Sequence, residues 1–300
     1  MGFFLTIESF RAAVRCVKPF AAKGAIVGMS DAALPRFARP PVVETVLGAQ
    51  FDPIPGLTLA HLGAFWATIK DEWPTVQHAP LIEQQFERFE EVRRWTVPSL
   101  RIEMTKEPVC RLQLRNVPND RMLQLQNGRF HYNWLGHDGG PYPSYNAVRP
   151  AFDKMWRHFS DFLSRHDLKP LQINQWEVTY VNHIPKGEVW KESWEWPQIL
   201  RGMLAVDRTP APGVVFESLG GLWHYEIEPR RGRLHVNVKH GMKAGSTEPE
   251  LVVLTLTARG PSGDEGLALE EGLDLGHEVI VRSFNGLISP EARRAWGGRS

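Results

Sequence analysis

The feature that most constrains the fold is the stretch from Met122 to Trp134, where an Asn127-Gly128 pair separates two alternating segments. A two-residue turn of this composition predicts a β-hairpin, because a type I′ turn needs positive φ at both central residues. Pairing about this turn puts apolar and polar side chains on opposite faces. The apolar face is Leu123, Leu125, Phe130, Tyr132 and Trp134, and the polar face is Gln124, Gln126, Arg129, His131 and Asn133. We expect the first face to be buried and the second to be suited to binding a polar partner.

Composition excludes several broad classes of protein. Basic and acidic residues number 35 and 34, so the net charge is +1. A charge this close to zero gives no overall electrostatic attraction to nucleic acid or to anionic membranes. Cys16 and Cys110 have no metal-type spacing and are too few for a disulfide scaffold, so a reducing, cytoplasmic location is expected. No apolar run approaches the roughly 18 residues of a membrane span, so no membrane partner is expected.

The first residues form a segment of their own. Charged residues such as Glu8, Arg11 and Arg15 interrupt any apolar run, which argues against a secretory signal. Met29-Ser30-Asp31 has the form of a true start, so residues 1–34 are interpreted as an N-terminal extension with a mis-assigned start before Met29. The alternative is a basic amphipathic helix that acts as an organelle transit peptide or lies on a membrane surface.

Beyond this extension, the pattern of side chains predicts the same order of elements twice, in residues 35–168 and 169–300. The first half has predicted strands at 42–51, 94–98, 111–116, 121–126 and 129–134, and helices at 57–73 and 145–166. The second has predicted strands at 171–184, 214–219, 222–228, 233–239 and 251–258, and helices within 190–204, at 273–288 and ending at Trp296. Each half is therefore predicted to be a β-α-β4-α unit.

The two halves are also similar in spacing, because Phe152 follows Glu44 at nearly the distance at which Phe284 follows Glu177. We predict an α+β protein made of two β-α-β4-α repeats, which form an extended antiparallel sheet with long helices packed on one side. By analogy of arrangement, the predicted fold is TATA-binding-protein-like or helix-grip-like. A groove is expected at the pseudo-twofold axis between the repeats.

Several of these segments resemble a sporadically distributed, uncharacterised bacterial protein family of roughly this size. The matching elements are Pro41-Val-Val-Glu44 with Phe51, Gln124-x-Gln126 with Arg129-Phe130 and Asn133-Trp134, Tyr142-Pro143-x-Tyr145, Phe152, and Glu177-x-Thr179-Tyr180-Val181-Asn182-His183-Ile184. The resemblance covers about residues 35–296, and residues 1–28 depart from the usual start. It implies the architecture, and it brings no established activity.

Two carboxylates attract attention, because Glu44 and Glu177 each lie within an apolar strand, where an unpaired charge is costly to bury. They are either a pair of acidic groups at a pseudo-twofold site or residues that meet an arginine or solvent. Tyr180 and Asn182 lie on the face of their strand opposite Thr179. They are hypothesised to extend the polar surface of the hairpin into one groove.

Recognisable catalytic motifs are missing. His131, His183 and His235 lack the spacing of metal ligands, and no nucleophile elbow or phosphate-binding glycine loop is present. We therefore expect no catalytic residue, no metal and no cofactor. Arg129, His131 and Tyr180 also have the chemistry to contact and stack on single-stranded nucleic acid.

The leading hypothesis is a non-enzymatic module that binds a small molecule or a protein on the polar sheet face. Its predicted site residues are Gln124, Gln126, Arg129, His131, Asn133, Tyr142, Glu177, Tyr180 and Asn182. The first alternative is an enzyme that uses Glu177 or Glu44 with His131 or His183 for acid–base chemistry in the groove. The second is a module that binds single-stranded nucleic acid.

Overall fold

The computed structural model describes residues 33–89, 110–136, 141–243, 245 and 250–299. Its strands are β1 (Arg36–Phe37), β2 (Val42–Phe51), β3 (Thr75–Ala79), β4 (Arg111–Arg115), β5 (Arg121–Gln126), β6 (Arg129–Leu135), β7 (Ile173–Pro185), β8 (Gly221–Ile227), β9 (Gly232–Met242), β10 (Glu250–Pro261) and β11 (Gly298–Arg299). Its α-helices are α1 (Leu59–Ala67), α2 (Tyr145–Arg165), α3 (Trp196–Ile199), α4 (Leu269–Leu287) and α5 (Pro290–Ala295). Short 3-10 turns cover Ser193–Glu195 and Gly263–Glu265. The predicted N-terminal extension, except for its last two residues, and the predicted strand at 94–98 lie outside the described residues.

Nine of the described strands form one open antiparallel sheet, the main sheet, in the order β3-β4-β5-β6-β2-β7-β10-β9-β8. The first main-sheet strand of each half, β2 or β7, lies at the centre, where the two strands pair with Gly48 opposite Glu177. Each central strand is flanked on its other side by the last main-sheet strand of its own half, β6 or β10. The α+β class and the extended antiparallel sheet are therefore confirmed. The short strands β1 and β11 pair separately.

The predicted hairpin is confirmed as β5 and β6, but its turn is of another type. Gly128 has a φ of 102°, whereas Asn127 is not among the residues with positive φ, which is the sign pattern of a type II turn. The side chain of Asn127 accepts a hydrogen bond from the Ile54 N–H (2.8 Å) and donates to the Ile54 carbonyl (3.0 Å). Asn127 thus links the hairpin to the segment that follows β2 through the main chain of Ile54.

The main sheet has one apolar face, which the helices cover and which we call the helix face. On β6, Phe130 packs edge-on against Phe152 and Trp156 of α2, with ring centroids 5.8 and 5.3 Å apart. On β7, Trp176 lies beneath α4, which can approach because Gly272 has no side chain. A Cβ at that position would come 2.2 Å from Trp176 Cγ. The predicted long helix after the hairpin is confirmed as α2, and a second long helix is confirmed as α4, which starts four residues earlier than expected.

Several predicted elements are wrong. Residues 214–219 form no strand, so three strands of the main sheet follow the helical segment of the second half within the described residues, not four. The helix predicted at 57–73 is confined to α1, and that predicted within 190–204 is reduced to a 3-10 turn and α3. Strand β3 lies in a segment for which no helix or strand is predicted; it is an edge strand with four exposed residues. Among the described residues, no helix is long and apolar enough to cross a membrane.

Candidate functional site

The register of the central strands divides the predicted site residues between two faces. Glu177 lies opposite Gly48, and Gly48 lies opposite His131, so these residues share the face remote from the helices, which we call the polar face. Pairing of β5 with β6 places the other predicted hairpin residues there as well: Gln124, Gln126, Arg129 and Asn133. Tyr180 and Asn182 lie on the helix face, in register with Trp176. The hypothesis that they extend the polar surface of the hairpin into one groove is therefore wrong, because their residue numbers differ from that of Trp176 by an even number and from that of Glu177 by an odd number.

The polar face is crossed by residues 80–89, an extended part of the connection between β3 and β4 that we call the strap. The side chain of Gln126 accepts from the Ile82 N–H (2.9 Å) and donates to the Ile82 carbonyl (2.8 Å). Gln50 makes the same pair of bonds to the main chain of Gln85, at 2.8 and 3.0 Å. These two glutamines satisfy the main chain of the strap as a neighbouring strand would.

Two carboxylates and three arginines meet between the strap and the main sheet. Glu177 lies 3.4 Å from Arg129 and 3.3 Å from Arg259, which confirms the interpretation that it is paired with arginine. Burial raises the pKa of Glu177, but the nearby His131, Arg259 and Arg129 lower it by more, so the pKa is below its usual value. This carboxylate is therefore ionised near neutral pH.

The second carboxylate, Glu87, belongs to the strap. Its Oε1 lies 2.6 Å from His235 Nε2 and 2.8 Å from Arg259 Nη2, and its Oε2 accepts from Arg233. Burial opposes ionisation, yet the hydrogen bond from His235 and the charge of Arg259 lower the pKa of Glu87 to about 2. Glu87 thus anchors the strap to β9 and β10 as a fully ionised group.

The acid–base pair of the enzyme alternative does not form. Glu177 Oε1 and His131 Nε2 are 3.8 Å apart, beyond hydrogen-bond distance, and burial lowers the pKa of His131 to about 4. Glu44 instead accepts a 2.6 Å hydrogen bond from Asn133, and burial raises its pKa. His183, the second imidazole of that alternative, is half-buried on the polar face.

The residues proposed to contact nucleic acid are also enclosed. Arg129 and His131 are only 3% and 4% exposed, and Tyr180 lies on the other face of the sheet. No group of three or more histidine, cysteine or acidic side chains suited to a metal ion occurs among the residues that the structure describes.

A cavity of about 770 Å³ lies on the helix face, bounded by residues 34–42, by the start of α2 and by α4. We call it the helix-face cavity. Three predicted site residues line it: Tyr142, Tyr180 and Asn182. Its apolar wall includes Phe37, Ile280, Val281 and Phe284. A volume of several hundred Å³ with apolar walls and a few convergent polar groups is typical of small-molecule sites.

A chain of three polar groups runs along the wall of this cavity. The hydroxyl oxygens of Tyr142 and Tyr180 are 2.8 Å apart, and the Tyr180 hydroxyl is 2.8 Å from His277 Nδ1. Burial raises the pKa of Tyr142 to about 12 and lowers the pKa of His277 to about 4. All three groups are therefore uncharged near neutral pH, and we call them the Tyr-Tyr-His chain.

The imidazole of this chain is held in a fixed orientation. Its ring stacks on Tyr145, with centroids 4.0 Å apart and planes 2° from parallel. The Tyr145 hydroxyl donates to Asp274 at 2.7 Å, and Arg149 also binds Asp274. Asn182 is fixed too, because its Nδ2 donates to the Leu254 carbonyl at 3.1 Å. The polar wall is thus preorganised by both long helices and the sheet.

Residues of the two faces that were not predicted differ in how visible they are in the sequence. Gln50 stands on the same side of β2 as Glu44, so the alternation of the strand alone could have identified it. For Glu87 and His277 no local pattern was available, because their partners lie far away along the chain. Comparison with known protein families and with curated proteins found no match, so the resemblance to a bacterial family stays a prediction.

Proposed function

We propose that this chain is a non-enzymatic small-molecule-binding protein whose site is the helix-face cavity. The observation that carries the proposal is the convergence of the Tyr-Tyr-His chain on a cavity of about 770 Å³ with an apolar wall. Three of the predicted site residues, Tyr142, Tyr180 and Asn182, would then contact or surround the ligand. The proposal keeps the predicted class of function and moves its site to the other face of the sheet.

The polar face supports this choice because most of its amide side chains already have partners within the chain. Gln50 and Gln126 bind the main chain of the strap, and Gln124 bridges Gln113 and Asn133. A ligand on this face would have to replace these bonds before it gained any of its own. We therefore assign Gln50, Gln126 and Arg129 to holding the strap in place.

We further propose that the two halves arose by duplication. In support, each half contributes its first main-sheet strand to the centre of the sheet and its last main-sheet strand beside it, and in each half a long helix follows these strands on the same face. The analogy with TATA-binding-protein-like and helix-grip folds belongs to the same proposal. The helix-face cavity involves both halves, since Tyr142 comes from the first and His277 from the second.

The test is binding of anilinonaphthalene sulfonate, an apolar fluorescent anion whose emission rises in a dry cavity. We expect saturable binding with one site per chain. Val281→Trp, which fills the cavity from α4, should weaken binding at least about tenfold, because the probe and the new indole compete for the same volume.

The matched control is Glu271→Trp, which introduces the same side chain at an exposed position of the same helix, away from the cavity. It should leave binding unchanged, and circular dichroism should show native helix content in both variants. The proposal is wrong if the unmodified chain does not bind the probe, or if a folded Val281→Trp variant binds it as tightly as the unmodified chain.

A further inference from the structure

The charged groups of the helix-face cavity all have one sign. Arg36 and Arg39 line it, and none of the described residues that line it is acidic. Arg39 donates from Nη2 to the Ala295 carbonyl at 3.0 Å, which holds its guanidinium in place. The guanidinium of Arg36 has no hydrogen-bond or ion-pair partner among the described residues. This end of the cavity therefore offers an unpaired cation and part of a second one to an anionic group.

The Tyr-Tyr-His chain offers the opposite chemistry, because it is polar but carries no charge. If His277 Nδ1 accepts from Tyr180, then Tyr180 accepts from Tyr142, and the Tyr142 oxygen can accept a further hydrogen bond. If His277 Nδ1 is protonated in the neutral ring, each bond reverses and Tyr142 donates outward instead. The chain can thus adapt to a hydroxyl or to a carbonyl, whereas it supplies no counter-charge for an ion.

Apolar side chains form the remaining wall between these polar groups, because Arg36 adjoins Phe37, Phe37 packs against Phe284, and Phe284 lies about two helical turns along α4 from His277. Phe37, Ile280 and Phe284 belong to it, and the latter two are 1% and 7% exposed. Phe37 packs edge-on against Phe284 with centroids 5.3 Å apart, which joins the segment of β1 to α4. A ligand body in contact with this wall gains free energy only from apolar burial.

We infer that the helix-face cavity takes an amphipathic organic acid that carries a hydroxyl or carbonyl group at its other end. The carboxylate binds Arg36 and Arg39, the apolar body packs against Phe37, Ile280 and Phe284, and the terminal oxygen binds Tyr142. This inference rests on the proposed function and specifies the class of ligand.

The experiment compares three flexible probes of equal chain length: ω-hydroxyoctanoate, octanoate and octanol. Each is titrated against the complex of the full chain with anilinonaphthalene sulfonate, and its affinity is taken from the displacement of the fluorophore. We expect ω-hydroxyoctanoate to bind about fivefold or more tighter than either of the other two, because it alone satisfies both polar ends.

Two sets of variants assign the ends of the ligand. Tyr142→Phe should lower the affinity for ω-hydroxyoctanoate to that for octanoate and leave octanoate unchanged. Arg36→Gln combined with Arg39→Gln should weaken both acids about fivefold or more and leave octanol unchanged. Tyr225→Phe, which removes a half-exposed hydroxyl outside the cavity, is the control for loss of a phenol and should change no affinity.

Failure of this inference can be separated from failure of the proposed function. If all three probes bind with equal affinity and Val281→Trp blocks them all, the cavity binds ligands but the assigned class is wrong. The same conclusion follows if Tyr142→Phe weakens octanoate as much as ω-hydroxyoctanoate. If Val281→Trp blocks none of the three, the cavity is not the binding site, and both the proposed function and the proposed class of ligand are wrong.

Discussion

Replacing Glu87 by glutamine tests whether the strap is held on the polar face mainly by charge. Glu87 is 8% exposed and binds His235, Arg259 and Arg233. Glutamine preserves the shape of the side chain but removes the negative charge. Arg259 would then keep Glu177 as a carboxylate partner. We expect the strap to loosen and the folded state to lose stability.

The magnitude follows from the protonation of the carboxyl group. A pKa that falls from an ordinary value of 4.5 to about 2 on folding means that the folded state favours ionised Glu87 by about 3 kcal/mol. Removing one partner from a buried ion pair costs about 3–5 kcal/mol, which agrees. Because the folded pKa is the lower one, this contribution is fully present above about pH 4.5 and is lost as the pH falls toward about 2.

The assay is urea unfolding followed by tryptophan fluorescence, carried out near neutral pH and again at about pH 3. At neutral pH, Glu87→Gln should lower the free energy of unfolding by about 3 kcal/mol, and at the acidic pH the difference from the unmodified chain should shrink. The matched control is Glu83→Gln, because Glu83 is exposed on the same strap and, among the residues that the structure describes, is bonded only at its main-chain carbonyl, by Arg129. The control should change stability by no more than about 0.5 kcal/mol. Equal stability of Glu87→Gln and the unmodified chain at neutral pH would refute the reasoning.

Two further predictions concern the packing of the sheet. Burial lowers the pKa of both His131 and His277 to about 4, below the 6.5 of an exposed imidazole, so the unfolded chain binds more protons between these values. The free energy of unfolding should therefore fall as the pH drops from about 6.5 to about 4, and His131→Gln should reduce this slope; a flat profile in urea titrations would contradict the burial of both rings. On α4, Gly272→Ala should destabilise by about 1–3 kcal/mol, because its Cβ would lie 2.2 Å from Trp176 Cγ. Gly286→Ala, on the same helix with nothing within 4 Å, should be neutral or stabilising by up to about 1 kcal/mol, and equal melting temperatures for the two variants would show that α4 does not press on Trp176.

Much of the fold could be predicted from local patterns in the sequence. The β5–β6 hairpin, the amphipathic helix α2 and the long strand β7 all carry a periodicity of two or of about 3.6 along several consecutive residues. Prediction failed where this signal is weak or absent. Strand β3 is short, exposed and held by its pairing with β4, and residues 214–219 are rich in β-branched and aromatic side chains but pair with no strand.

The candidate site was harder to predict because it depends on which segments meet. The sequence pattern identified Tyr142, Tyr180 and Asn182 as candidate binding residues. It could not show that His277, on a helix 97 residues after Tyr180, completes a chain with the two tyrosines. Nor could it show that the strap would occupy the polar side chains of the hairpin.

By itself, the sequence determined which side chains share a face, because the alternation of a strand and the turn of a helix are properties of neighbouring residues. Tertiary structure decided what covers each face. The pairing of β2 with β7 placed Glu177 beside His131 and turned Tyr180 toward α4. The strap then satisfied the polar face, while α2, α4 and residues 34–42 left a cavity on the other. Such pairings depend on the free energy of packing distant segments together, which no local pattern encodes.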